Sequence, residues 1–210
     1  MPARPDVKFW NVSFGPHGPI WDDTISRFTY VLDSLAASHK VGFCVAVGND
    51  GRLAEPWSRI QAPSDLVNGL GVGAFTERKG IIMHAPYSCR GPGRECGKMK
   101  PDLVAFGGCD HTPMHLLSTA PGKKALHSGT SFSTPLVTAI GGQAVDVVER
   151  GTSLLARTLL IHTARHPSTD PDYLLGHGLV RTTLDGIVQC DDREVTVIFQ
   201  GELLASQSVK

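Results

Sequence analysis

A serine at the start of a predicted helix has the residue type and position for nucleophilic chemistry. Residues 129–135 read Gly-Thr-Ser-Phe-Ser-Thr-Pro and lead into an apolar stretch. Gly129 permits a tight turn, so Ser131 is expected at the helix N-terminus, where free N–H groups stabilise developing negative charge. Pro135 is expected in the first turn, where its missing N–H is tolerated. Ser131 could therefore act as a nucleophile if a base lies beside it. The same pattern occurs more often where the serine or threonine is an ordinary helix N-cap.

A second candidate is the amide of Asn49, which follows a predicted buried strand at residues 41–47 and lies between Gly48 and Gly51. Ligands in α/β folds bind at the carboxyl edge of the sheet, which is where this side chain would lie. Asn-Asp-Gly is also a common turn sequence, so a plain turn residue remains the alternative.

The elements that must position these residues alternate between strands and helices. The first fifty residues read as strand, helix, strand, a βαβ unit whose crossover makes the strands parallel. Residues 41–47 are apolar on both faces, as in a strand covered by helices on both sides. Strands are predicted at 7–14, 41–47, 70–75, 103–106 and 194–200, and helices at 24–40, from 131, and at 154–164.

The composition is that of a globular protein with no charge excess. The chain has 210 residues, 41% hydrophobic and 19% charged, and 20 Lys+Arg balance 20 Asp+Glu. This balance argues against nucleic acid as a partner, and no apolar run approaches the ~18 residues of a membrane span. No secretory signal precedes residue 7, so a cytoplasmic location is expected for the chain as written. Five cysteines, an odd number, argue against a disulfide framework.

Six segments, in order, resemble the subtilisin-like serine peptidases. The serine segment is similar to that family's Gly-Thr-Ser-x-(Ala/Ser)-x-Pro, and Lys-Pro-Asp-Leu-Val-Ala-Phe-Gly at 100–107 to its Lys-Pro-Asp segment, with Phe106 where proline is usual. The others are Asn-Val-Ser-Phe-Gly at 11–15, Ala-Val-Gly-Asn-Asp-Gly at 46–51, Tyr-Ser-Cys-Arg-Gly-Pro at 87–92 and Leu-Gly-His-Gly-Leu at 175–179. Together they cover about residues 7 to 182.

The resemblance implies a serine endopeptidase that acts on peptide or protein substrates through an acyl-enzyme, without a cofactor. Ser131 would be the nucleophile, and the Asn49 amide would bind the oxyanion together with the Ser131 N–H. Two walls would hold the substrate: Ser13, Phe14 and Gly15, and Ala46, Val47 and Gly48. The implied fold is α/β, a three-layer parallel sheet with helices on both faces, with its N-terminal part missing. Residues 1–185 would be the C-terminal portion of the peptidase domain, and 186–210 the start of a β-rich extension.

The histidine and aspartate of the catalytic triad are not found in the motifs. In this family both precede the Asn-x-Ser-Phe-Gly strand, and only six residues precede residue 7 here, whereas one βαβ unit takes about 30. His17 and His127 lie in unsuitable contexts for a general base. The isolated chain is therefore expected to be inactive, as a fragment, as one half of a split protease completed by a separate chain carrying Asp and His, or as a peptide-binding pseudo-protease.

Other site types fit the sequence less well. A zinc site from Cys89, Cys96, Cys109, His111 and His115 lacks the usual close cysteine pairs. An α/β-hydrolase would need Gly-x-Ser-x-Gly, but Ser133 occupies the last position. Residues 71–76 lack the third glycine of a dinucleotide-binding loop.

Overall fold

The computed structural model describes residues 4, 6–95, 97–149, 151–190, 192–199 and 201. Seven strands and four helices lie in this part of the chain. In chain order they are β1 (Phe9–Val12), α1 (Arg27–His39), β2 (Gly42–Ala46), β3 (Leu70–Arg78), β4 (Ile81–His84), β5 (Leu103–Phe106), β6 (Met114–Leu117), β7 (Lys124–His127), α2 (Thr130–Val147), α3 (Ser153–His162) and α4 (Asp185–Val188).

The central sheet is mostly parallel. Strands β1, β2, β3 and β5 lie side by side in that order, with Val12 opposite Val45, Val45 opposite Gly71 and Gly73 opposite Val104. Strand β4 is the exception, since it turns back from β3 and pairs with its second half in antiparallel register. The parallel sheet predicted from the βαβ pattern is confirmed, and its parallel strands all end at the same edge.

Helices cover both faces of the sheet, which confirms the three-layer α/β prediction. On one face, α1 packs Leu32 and Ala36 against Phe43 and Val45 of β2. On the other face, α2 and α3 form the larger core with the sheet, and that core includes Leu70, Val72, Leu103, Val137, Ala144 and Leu160. Burial on both faces explains why β2 reads as a continuous apolar run.

Helix α1 begins later than its apolar spacing predicts. The pattern suggests a start near residue 24 with Asp22 or Asp23 as the cap, but the side chain of Ser26 caps the helix by accepting from the Thr29 N–H at 3.0 Å. Serine satisfies one of the otherwise unpaired N–H groups of the first turn. Lys40 ends the helix in a left-handed conformation at φ 53°.

A buried ion pair ties the starts of β3 and β5 to the preceding loop. The Lys100 ammonium donates to Asp102 Oδ2 and, at 2.8 Å, to the Leu66 carbonyl. The Gly71 N–H donates to the same Asp102 oxygen at 2.6 Å. Lys100 is 2% exposed. The Lys-Pro-Asp segment thus helps to hold the starts of β3 and β5 together.

The end of the described chain differs from the sequence prediction. The strand predicted at 194–200 is wrong over 194–199, which form no strand, and Gln200 lies outside the described residues. Val195 and Phe199 are 86% and 93% exposed, so the alternating pattern has no surface to pack on. The division of the chain at residues 185 and 186 stays a prediction.

The hairpin β6–β7, between β5 and α2, has no counterpart among the predicted elements. Its four-residue strands pair in antiparallel register, with Met114 opposite His127 and Leu117 opposite Lys124. None of its residues is fully buried, and polar and apolar side chains do not alternate clearly, which is why no strand pattern is visible in the sequence. The hairpin leads directly into the serine segment at residues 129–135.

No helix in the part of the chain that the structure describes has the length and apolarity needed to cross a membrane.

Candidate active site

Three elements bring the candidate residues to one edge of the sheet. Ser13 follows β1, Asn49 follows β2 and Ser131 is the second residue of α2. The loop after β5 fixes the start of α2, because the Gly129 N–H donates to the Gly107 carbonyl at 3.0 Å. Asn49 therefore lies at the carboxyl edge, as expected from its position after a buried strand, and Ser13 and Ser131 lie at the same edge; the roles of all three residues stay predictions.

Ser131 and Ser13 are joined by two reciprocal contacts. The Ser131 hydroxyl donates to the Ser13 carbonyl oxygen at 3.5 Å, and the Ser13 hydroxyl donates to the Ser131 carbonyl oxygen at 3.3 Å. Pro135 leaves that carbonyl without its usual partner four residues on, so Ser13 supplies the donor. Pro135 lies in the second turn of α2, since the helix begins at Thr130 and not at Ser131.

The Asn49 amide is held in one orientation by Thr130. Both the N–H and the hydroxyl of Thr130 donate to Asn49 Oδ1, at 2.9 and 3.1 Å. Thr130 is fully buried, whereas Asn49 is exposed. With Oδ1 occupied by two donors, the amide nitrogen Nδ2 is the group left to bind a ligand. The N–H of Ser131, in the first turn of α2, has no carbonyl partner within the helix.

The two predicted walls both lie close to residues 61 and 62, which no sequence motif includes. On one wall, a Cβ added to Gly15 would overlap the Ala62 carbonyl oxygen. On the other, a Cβ added to Gly48, whose φ is +106°, would lie 2.5 Å from Gln61 Oε1. The backbone thus approaches residues 61 and 62 closely on both sides, and glycine is needed at both positions.

The side chains of the walls differ in exposure. Val47 is fully buried in a cluster with Ile20, Ile60 and Cys89, so only its backbone is available to a ligand. Phe14 is 71% exposed and stacks on Phe28 at a ring distance of 5.7 Å. The functional roles of both walls stay predictions.

No histidine of the described residues hydrogen-bonds to the Ser131 hydroxyl. His127 is exposed and stacks on Phe132, with ring centroids 5.8 Å apart. His17 is exposed in the loop after β1. Neither of the two histidines considered from the sequence is bonded as a general base.

The cysteines fall into two chemical classes. Burial raises the pKa of Cys44 to about 12 and that of Cys89 to about 11. At Cys109, desolvation opposes ionisation, but hydrogen bonds from the Thr112 and Thr76 hydroxyls outweigh it and lower the pKa to about 7. Cys109 lies just beyond β5, at the same sheet edge as Asn49.

The residues of the zinc hypothesis do not gather into a ligand set where the structure describes them. Cys109 Sγ lies 3.2 Å from the Thr112 hydroxyl, and Cys89 Sγ accepts from the Asp50 N–H. Among the described residues, no three His, Cys, Asp or Glu side chains are grouped as a metal would require. Cys96 lies outside those residues.

A cavity of about 320 Å³ lies at the opposite edge of the sheet, where β2 and β3 begin, and its lining includes Lys40, Gly42, Leu70 and Ser153. The core of the sheet separates it from Ser131. None of Ser13, Asn49 and Ser131 lines this cavity.

Comparisons with known proteins agree with this geometry. A model of the subtilase family matches residues 2–178. The uncharacterised protein y4bN of Sinorhizobium fredii is 26% identical in an alignment 264 residues long. The alignment spans 93% of this chain and 59% of that protein.

Solved structures show the same fold. The prenylagaramide maturation protease PagA superposes with a TM-score of 0.65 at 21% identity, over 86% of this chain and 61% of that one. Fervidolysin of Fervidobacterium pennivorans gives 0.64 at 23% identity, over 90% of this chain and 28% of that one. The chain thus spans about three fifths, or less, of these relatives. On the match of the family model, the chain belongs to the subtilase family.

Proposed function

We propose that this chain carries the nucleophile and the oxyanion site of a serine endopeptidase. The observation that supports this most directly is the Asn49 amide, which Thr130 locks beside the start of the helix that carries Ser131. A plain helix cap or a plain turn would not require an amide fixed by two donors across 81 residues of chain.

In the proposed reaction, the Ser131 oxygen attacks the carbonyl carbon of a peptide bond and passes its proton to a base. The carbonyl oxygen becomes negative and accepts hydrogen bonds from Asn49 Nδ2 and the Ser131 N–H, two donors fixed before the reaction begins. The C–N bond then breaks, the amine takes a proton from the base, and an ester on Ser131 remains. Water hydrolyses this ester and restores the serine.

The base and its orienting carboxylate are proposed to come from polypeptide outside the described residues, either more of the same protein or a separate chain. Strand β1 pairs with β2 along one edge, and no strand of the described part pairs with its other edge. The Ser131 hydroxyl contacts Ser13 immediately after β1. A segment that adds beside β1 would thus bring a histidine close to the nucleophile.

Chemical rescue tests both parts of this proposal. A fluorophosphonate probe forms an Oγ–P bond at an active serine, fluoride leaves, and a base takes the serine proton. Purified 1–210 should react with the probe very slowly, and added imidazole should accelerate the reaction by supplying the missing base. Mass spectrometry should locate the adduct on Ser131.

Two variants serve as controls. Ser131→Ala should abolish the rescued labelling. Asn49→Ala should slow it by about two orders of magnitude, the size known for loss of the equivalent donor in subtilisin, a member of this family. Stoichiometric labelling without imidazole would show that the chain holds its own base. No rescue at any imidazole concentration would favour a peptide-binding pseudo-protease.

A further inference from the structure

The cavity where β2 and β3 begin has an apolar wall that belongs to the core. Its volume is about 320 Å³, and Phe9, Phe43 and Leu70, three buried residues of β1, β2 and β3, line it. Pockets that bind small molecules in proteins occupy about 300–1,000 Å³. The cavity is therefore large enough for a small ligand with an apolar part.

The ends of two helices form the other side of this cavity. Ala37 and Lys40 line it at the end of α1, and Ser153 and Leu154 line it at the start of α3. The Ser153 hydroxyl donates to the Lys40 carbonyl oxygen at 2.7 Å, which joins the two helices. Ala37, Lys40 and Leu154 are exposed, so the cavity opens to solvent on this side.

Two cationic side chains without a counter-charge accompany the apolar wall. Lys40 and Arg157 both line the cavity, and no Asp or Glu does so among the described residues. Neither side chain forms an ion pair or a hydrogen bond in the part of the chain that the structure describes. The carboxylate nearest to Lys40 along the chain, Asp33, accepts instead from the N–H groups of Val67 and Asn68.

The surroundings of Arg157 favour an anion. This residue is half-buried, a setting in which its charge attracts an opposite charge more strongly than in bulk water. Its guanidinium can donate two parallel hydrogen bonds to one carboxylate. The start of α3 adds to this attraction, because the first N–H groups of a helix lack carbonyl partners and favour negative charge.

We infer that this cavity binds a free carboxylate with an unbranched hydrocarbon chain of medium length, such as octanoate. The chain would lie against Phe9, Phe43 and Leu70, and the carboxylate would lie between Lys40 and Arg157. A neutral molecule of the same length would leave both cations unpaired, and a short anion would leave the apolar wall in contact with water. The site is separate from Ser131 and does not rest on the proposed peptidase function.

Titration calorimetry with three small molecules tests the inference. The 210-residue chain should bind octanoate about tenfold more tightly than 1-octanol, which has a chain of the same length without the charge; this ratio corresponds to about 1.4 kcal/mol. Hexanoate should bind about tenfold more weakly than octanoate, because two fewer methylene groups leave water on binding. The first ratio measures the contribution of the cations, and the second measures that of the apolar wall.

Variants locate the site. Lys40→Gln combined with Arg157→Gln should abolish the preference for octanoate over 1-octanol and leave 1-octanol binding unchanged. Ala37→Phe places a ring in the open side of the cavity and should block both molecules; because Ala37 is an exposed helix residue, the fold should tolerate the change. The matched control is Arg78→Gln, which removes an exposed cation at the other end of β3 and should change neither affinity.

Far-UV circular dichroism of each variant establishes that it is folded before binding is compared. Equal affinity for octanoate and 1-octanol in the unaltered chain would overturn the inference, and so would a preference that survives loss of both cations. Unchanged binding in folded Ala37→Phe would place the ligand elsewhere and overturn it as well. If neither molecule binds, the inference is wrong and the cavity is left to polypeptide.

Discussion

Thr130 belongs to the candidate site because it fixes the orientation of the Asn49 amide. It is fully buried, its N–H donates to Asn49 Oδ1 at 2.9 Å, and its hydroxyl lies 3.1 Å from Oδ1 and 3.4 Å from the Gly48 carbonyl oxygen. The Asn49 amide, proposed to bind the oxyanion, therefore depends for its orientation on the first residue of helix α2. Any displacement of the helix start moves the serine and its oxyanion donor together.

At Cys109, the hydrogen bonds from Thr112 and Thr76 predict unusual thiol reactivity. Alkylation by iodoacetamide should rise through a midpoint near pH 7, because the thiolate is the reactive form and the pKa is lowered to about 7. Below that pH the thiol is protonated and reacts slowly. Peptide mapping by mass spectrometry over a pH series measures the midpoint at each cysteine.

Two comparisons make this experiment decisive. Cys44 and Cys89, whose pKa values are raised by burial, should stay unmodified over the same range in the folded chain. Replacing the donor in Thr112→Val should move the Cys109 midpoint upward. A midpoint near the ordinary thiol value of about 8.5 in the unaltered chain would contradict the prediction.

The sequence identifies some residues of the candidate site and misses others. Ser131 and Asn49 stand in motifs, so their convergence could be predicted from local letters. Gln61 and Ala62 stand in none, because the close approaches of Gln61 to Gly48 and of Ala62 to Gly15 appear only after the chain has folded. Asp50, which is bonded to Gln61, likewise lies 11 residues away from it and outside any recognisable spacing.

Helix α2 carries Ser131, and the ring of Phe9 lies between this helix and strand β2. A Cβ on Gly141 of α2 would lie 3.0 Å from the Phe9 ring, and a Cβ on Gly42 of β2 would lie 2.8 Å from the same ring. The Phe9 ring thus lies between glycines of two different elements, and a Cβ at either position would require the ring to shift.

Two adjacent glycine replacements in α2 should therefore act in opposite directions. Alanine normally stabilises a helix interior by about 0.5–1 kcal/mol relative to glycine, and Gly142→Ala should do so because no atom lies within 4 Å of its new Cβ. Gly141→Ala should instead lower the free energy of unfolding by about 1–3 kcal/mol through overpacking against Phe9. Urea unfolding of both variants measures the pair, and equal stabilisation of both would refute the confinement of the ring.

Pattern alone located the principal elements, because apolar periodicity reports burial directly. It succeeded for β5, predicted and observed at residues 103–106, and for the helices of both layers. It failed at residues 194–199, where an alternating sequence meets no packing surface, and at the hairpin β6–β7, whose strands are held by each other and not by buried side chains.

Lys100 connects the loop before β3 to the start of β5, through its bonds to the Leu66 carbonyl and to Asp102. Lys100→Met should lower the free energy of unfolding by about 3–5 kcal/mol, because Asp102 would stay buried without its counter-charge. Urea unfolding followed by tryptophan fluorescence measures the loss. The matched control, Lys98→Met, removes an exposed lysine that is paired with Glu95, and no measurable change is expected there.

A second variant distinguishes charge from packing if the first unfolds. Lys100→Met combined with Asp102→Asn removes both charges and should regain part of the lost stability, since the asparagine side chain could still accept from the Gly71 N–H. A double variant as unstable as the sum of the two single variants would show that the pair contributes packing alone.

The reciprocal bonds between Ser13 and Ser131 span 118 residues of chain. The sheet between them is what brings these two residues together, because the entropy of a flexible chain opposes closing so long a loop. A partly folded chain, or one still leaving the ribosome, therefore has the serine without its surroundings. The Ser131 hydroxyl has these contacts only in the finished fold. Local opening at the sheet edge would remove them while the core stays intact.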